Sequence, residues 1–173
     1  QTTPNHDLKR KSALFIDAKR AFTLVANHYV IPLGLPDHSD RIHKHFHFVE
    51  ASRWAYYLRF NARFNVPEIN AGQVEAVTHS YETGPKIGVN KSYHTFGTLV
   101  HESIHFFSHY AFRQAFDVSG YEGATEYLTR KLLNDLGPRC DVSGDNNMYA
   151  REITPLLAIV TSDEIHDLLC QAY

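Results

Sequence analysis

The sequence predicts an α+β fold in which a small twisted sheet packs on a helix and a helical subdomain follows. Three observations predict it. Apolar and polar residues alternate from Leu58 to Val66, a strict period of two. Helical spacing of apolar residues dominates before residue 30 and again after Asn90. Breaks rich in Pro and Gly, at Pro32, Gly34 and Pro36 and again at Thr83-Gly84-Pro85, separate these segments. At 173 residues the chain has the size of one domain, with helices and a small sheet over 1–90 and a helical part over 91–173.

Taken in order, Asp7 to His28 reads as an amphipathic helix. Leu14, Ala18, Ala21 and Val25 share a stripe, and Lys9, Arg10, Lys11, Lys19 and Arg20 lie mostly off it. Residues 31–36 break it. Asp40 to Tyr57 is read as a helix from Ile42, Phe46 and Val49, although His43 to Phe48 alternates as a strand would. Leu58 to Val66 is expected to be a half-buried strand ended by Pro67, and the lone Trp54 is expected in the core. Gln73 to Tyr81 and Lys86 to Val89 follow as two further short strands. Thr95 to Phe112 is expected as one helix, with Phe96, Leu99, Val100, Ile104 and Phe107 as its apolar positions. Tyr121 to Leu136 is a second, stopped by Gly137 and Pro138. Met148 to Val160 is a third, and Thr161-Ser162-Asp163-Glu164 has the form of a capping box opening a fourth.

Composition narrows the function. The formal net charge is −2 and 21% of residues are charged, so no basic excess points to nucleic acid or an anionic membrane surface. No apolar run approaches the roughly 20 residues of a membrane span. Cys140 and Cys170 can form one bridge or remain two thiols, and their number excludes a disulfide scaffold. Gln1 in place of Met reads as processing or as a domain cut from a longer chain; taken with the cysteine pair and the family resemblance given below, secretion or delivery outside the producing cell is the expectation. The oligomeric state is not encoded in any feature of the sequence.

The chemistry concentrates in His101-Glu102-Ser103-Ile104-His105, an HExxH pattern inside a predicted helix. Positions four apart lie on one helical face, so both imidazoles can reach one ion. Glu102 sits beside them and can act as general base toward a water on that metal, whose pKa zinc lowers to about 7. With 12 His and nine Glu in the chain, chance gives on the order of 0.04 such matches. A catalytic zinc takes three protein ligands and keeps one position open. The following helix offers Glu122 and Glu126, four apart on one face. Either can ligate, and the other can hold the second nitrogen of a ligand histidine.

HExxH, sixteen intervening residues and then Glu122-Gly123-Ala124-Thr125-Glu126-Tyr127-Leu128 resembles the gluzincin metallopeptidases. The local motif is similar to that of the membrane alanyl aminopeptidases, Glu-Gly-x-x-x-Tyr. Small gluzincin-like domains of secreted bacterial effectors and toxins share Glu-Gly-x-Thr-Glu. The resemblance covers about Leu99 to Leu133. It implies a zincin-like fold, Zn2+ held by His101, His105 and Glu122, Glu126 behind a ligand histidine, and a protein or peptide substrate. The Gly-x-Met-Glu-Asn segment with which the aminopeptidases grip a free amine is absent, and the chain is far shorter than those enzymes, so an endopeptidase is the expectation.

An oxyanion donor is also needed. Tyr149, behind the turn-rich Ser143 to Asn147, is the first choice, with Tyr110, Tyr81 and Tyr93 as rivals. His109 continues the His101 and His105 face by one turn. His43, His45 and His47 read as a solvated histidine-rich face, or as a second metal site if they lie on a strand. Tyr81 to Asn90 is the expected rim strand, along which an extended substrate can add. Two rival functions are a zinc-binding effector or interaction module and a hydrolase of a non-peptide amide of the cell-wall type. An intact Glu102 speaks against a pure binding module.

Overall fold

The computed structural model describes residues 4–64, 68–81, 84–135 and 150–173. The first helix, α1 (Pro4–Val25), buries Leu14, Ala18, Ala21, Phe22 and Val25. It passes through a π-helical turn at Ala26–Val30 into a short 3-10 turn, Ile31–Leu33. Gly34 closes that turn at φ 71°, a left-handed conformation that favours glycine. A single helical turn, α2 (Ile42–His45), leads into β1 (Phe46–Val49) and then α3 (Ala51–Phe60).

Strands β2 (Ala76–Tyr81) and β3 (Gly84–Asn90) complete a three-stranded sheet of order β1-β3-β2. β1 pairs parallel to β3, with Phe46 opposite Ile87, and β2 pairs antiparallel to it, with Ala76 opposite Val89. The pleat sorts the residues. Phe46, Ala76, Ile87 and Val89 face the main core with α1, while Val77 joins Trp54, Tyr57, Leu58 and Ala71 in a smaller core under α3. Gly88 lets α3 approach: a Cβ there would stand 2.3 Å from the Tyr57 ring.

The helical half begins with α4 (Phe96–Phe107), buried on nearly every side. It packs on α1 through Phe22, whose ring lies 5.0 Å from Phe106 and 4.7 Å from Phe107. Short α5 (Tyr110–Ala115) leads to α6 (Val118–Asp135), α7 (Ala150–Ile159) and α8 (Asp163–Ala172). The architecture is thus mixed α+β, mostly helical, with one small sheet. Among the described residues no helix is long and apolar enough to cross a membrane.

Several expectations are corrected. The strand expected over Leu58 to Val66 is not formed in its described part, Leu58 to Phe64: Trp54, Tyr57 and Leu58 repeat at helical spacing and are buried together in α3, whereas Phe60 is 57% and Phe64 44% exposed. The alternation therefore marks no common buried face. Backbone bonds from Asn61 and Ala62 to the Tyr57 carbonyl end the helix, Arg63 turns at φ 54°, and residues 65–67 lie outside the described residues. The single helix expected over 40–57 is two helices with a strand between them. His43 and His45 belong to α2 and His47 to β1. The helix expected over 95–112 ends at Phe107, where Ser108 turns extended and its hydroxyl donates to the His105 carbonyl at 2.8 Å. Ser162 is the cap of α8, accepting from the Ile165 amide, so the fourth residue of the motif is not Glu164. Gly137, Pro138, Cys140 and Met148 lie outside the described residues.

Candidate metal centre

α4 and α6 build the site. Thr95 caps α4 by accepting from the Thr98 amide at 3.2 Å, and Glu75, just before β2, takes the Thr95 and Thr98 hydroxyls. The Thr78 hydroxyl on β2 donates to the Glu102 carbonyl at 2.8 Å. These bonds fix α4 in rotation against the sheet. α6 is fixed from the other side. A Cβ on Gly123 would stand 2.3 Å from the Glu152 carbonyl oxygen of α7, so only glycine allows the two helices to meet beside Glu122.

Helical spacing then brings His101 and His105 together, with ring centroids 4.7 Å apart. Glu122 Oε2 lies 3.3 Å from His101 Nε2 and 3.1 Å from His105 Nε2. One atom from each of these residues falls within 4.8 Å of the others, the only such His, Cys, Asp or Glu trio among the described residues. Glu126, one turn on, sets Oε2 3.1 Å from His101 Nδ1, and Arg130 Nε donates to its other oxygen at 2.6 Å. His105 Nδ1 meets hydroxyls instead: Thr125 Oγ1 at 3.1 Å and Tyr173 Oη at 3.2 Å.

Burial works against a charge on His101, yet hydrogen bonds to Glu122 and Glu126, and the nearby Glu102, raise its pKa above the ordinary histidine range. Burial likewise works against the two carboxylates, but their imidazole partners hold both below the usual carboxylate range. The two carboxylates thus favour a proton on His101, among the groups on which a metal would bind.

Glu102 is 8% exposed and lines the cleft in front of this trio. Its Oε2 is buried without a hydrogen-bond partner among the described residues. Such an atom carries a desolvation cost that a ligand or water in the cleft can relieve. The cleft encloses about 580 Å3, within the range of ligand sites, and β2 forms one wall from Ala76 to His79.

Other expectations fare differently. Tyr149 lies outside the described residues. Tyr110 is 70% exposed and Tyr93 half-exposed, neither on the cleft, whereas Tyr121 lines it. His109 does not extend the ligand face; it caps α5, accepting from the Ala111 amide at 3.2 Å. His43, His45 and His47 form no metal-binding trio among the described residues. The rim strand is β2 rather than Tyr81 to Asn90, because β3 is paired on both sides. The sequence motif contains Thr125 but assigns it no role, and sequence reasoning missed Arg130 and Tyr173. Thr125 and Arg130 are three and eight residues beyond Glu122, a helical repeat that could have flagged them. Nothing in the spacing pointed to Tyr173. The chain matches no family model, no curated protein and no solved structure.

Proposed function

We propose that this protein is a zinc-dependent peptidase, an endopeptidase, with His101, His105 and Glu122 as metal ligands and Glu102 as the catalytic base. The observation that carries the reading is the convergence of three donors on one point, beside a buried Glu102 carboxylate oxygen that has no hydrogen-bond partner among the described residues. The donor set of two imidazoles and one carboxylate suits a catalytic zinc, which leaves a further position for substrate or water. When bound, zinc would polarise a carbonyl and acidify water. Glu102 then takes the proton of the attacking water and delivers it to the leaving amine. Glu126 orients His101, and Arg130 keeps Glu126 in place. β2 is the sheet edge on the cleft, so an extended peptide can add beside it as a further strand, in the manner of a zincin.

The test is zinc content measured together with cleavage of unfolded casein. The expected result is one zinc per chain and cleavage abolished by a strong chelator. Zinc without cleavage would favour a binding module, and cleavage that persists after complete metal removal would exclude the reading.

A further inference from the structure

We propose that Tyr173, acting with Thr125, is a positioning residue for His105: its phenol oxygen accepts the Nδ1 hydrogen and so keeps Nε2 available for a metal. This rests on the reading of His101, His105 and Glu122 as ligands.

The argument is an account of protons. Thr125 Oγ1 lies 2.9 Å from the Tyr121 carbonyl oxygen and gives its one proton there. Tyr173 Oη is in short contact with Thr125 Oγ1, whose proton is already used, so the phenol proton goes to Thr125. Tyr121 Oη has its own outlet. It donates to Ser108 Oγ at 2.7 Å, because the Ser108 proton goes to the His105 carbonyl. The oxygens at 3.1 and 3.2 Å from His105 Nδ1 therefore have no proton left for it. Both act as acceptors, and Nδ1 must carry the hydrogen. Nε2, 3.1 Å from Glu122 Oε2, is then the atom a metal takes.

Tyr173 is held well enough for this task. Its ring stacks on Tyr121, with centroids 5.7 Å and planes 6° apart, and lies 4.8 Å from Phe112. Its amide donates to the Leu169 carbonyl at 2.9 Å, and its carbonyl accepts from the His109 amide at 2.5 Å. Ligand histidines commonly give their other N–H to a carboxylate or carbonyl. His101 follows that habit through Glu126, while His105 uses two neutral hydroxyls, one of them supplied by the residue that follows α8.

Zinc affinity of the whole chain, measured by competition with a chelator, decides the matter, alongside the melting temperature of the metal-free protein. Tyr173→Phe keeps the stacked ring and removes only the oxygen. It is expected to weaken zinc binding by about tenfold, the low end for such partners, because Thr125 remains. Tyr173→Phe combined with Thr125→Val removes both acceptors and is expected to cost about a hundredfold. Thr125→Ser, which keeps the hydroxyl, should bind as the unsubstituted protein does. Leu58→Ala, in the separate small core under α3, should lower the melting temperature without moving the affinity, which separates positioning from packing. If Tyr173→Phe fails to fold, the contrast between Thr125→Val and Thr125→Ser decides in its place. Unsubstituted protein that binds zinc while Tyr173→Phe and the double variant bind it equally well would overturn this inference and leave the metal site standing. Unsubstituted protein that binds no zinc would overturn both.

Discussion

Two histidines line the same cleft, each 6% exposed, and they are driven in opposite directions. His101 on α4 is buried against Glu122 and Glu126, and its pKa is raised. His79 on β2 is buried against Tyr57, whose hydroxyl lies 2.7 Å from Nε2, and burial, with His47 adding to it, brings its pKa down to about 4. Burial alone predicts the same result for both. The difference lies in what surrounds each ring: carboxylates attract a cation to His101, whereas His79 lies against the Tyr57 phenol and desolvation prevails. A site that takes up a metal needs the first environment. The second serves packing, and breaking each should have distinct consequences.

The largest effects are expected on the α4–α6 side. Glu122→Ala removes an oxygen from the trio, so zinc and activity should disappear together by metal analysis and peptide cleavage. Glu102→Gln should leave zinc in place and slow cleavage by about a hundred- to ten-thousandfold. A Glu102→Gln protein that turns over near the normal rate would remove Glu102 from the chemistry. Glu126→Ala should cost about ten- to a hundredfold in zinc affinity, since His101 loses only its support. Were Glu126→Ala to empty the site while Glu122→Ala stayed mild, the ligand would be the carboxylate one turn further along α6.

Next comes the pH dependence of metal binding. With His101 raised, the metal-free cluster is stabilised below the ordinary histidine range, and that stabilisation fades as pH climbs through the raised value. The lowered Glu122 and Glu126 stabilise it above the ordinary carboxylate range and stop doing so in acid. Around neutral pH both contributions are present, so zinc must displace a proton. Apparent zinc affinity should therefore rise by about tenfold per pH unit through neutrality. A flat profile in buffered titrations would show that no proton leaves.

A smaller effect is expected at the packing that holds Glu122. Gly123→Ala forces a methyl group against the Glu152 carbonyl oxygen, and the resulting overpacking should cost about 1–3 kcal/mol in denaturant unfolding. Unchanged stability would mean that α7 shifts freely on α6.

How much of this was legible in the sequence follows the same division. The donors on α4 and α6 were legible because a helix converts spacing into proximity: four residues in sequence are one turn in space. The sheet's central and edge strands were not, since strand order depends on pairing between distant segments. β3 follows β2 in the chain yet is flanked by β1. Leu58 to Phe64 misled because alternation over a few residues is also compatible with a helix whose terminal apolar side chains are simply exposed. Tyr173 was invisible for a third reason, being 68 residues from His105 and brought there only by the docking of α8.

The least of the expected effects is the one that tests the His79 side of the comparison. In the unfolded chain a histidine takes up its proton near pH 6.5, whereas folded His79 resists it down to about 4. Between those values the unfolded state binds more protons, so folding stability falls as pH falls. Above that range the contribution is constant. The useful window is about pH 6.5 to 5, because the lowered carboxylates of the metal cluster remain ionised there. His79→Gln removes the titrating ring and keeps a side-chain amide that can still bond with Tyr57. It should flatten the fall in melting temperature of the metal-free protein across this window by on the order of a few degrees. The effect is partial because burial also lowers His45 and His47, which continue to titrate in the variant. If the two melting curves run parallel from pH 6.5 to 5, His79 accepts its proton as readily folded as unfolded. The contrast with His101 would then belong to the carboxylates alone, with no opposing pull from the burial of His79.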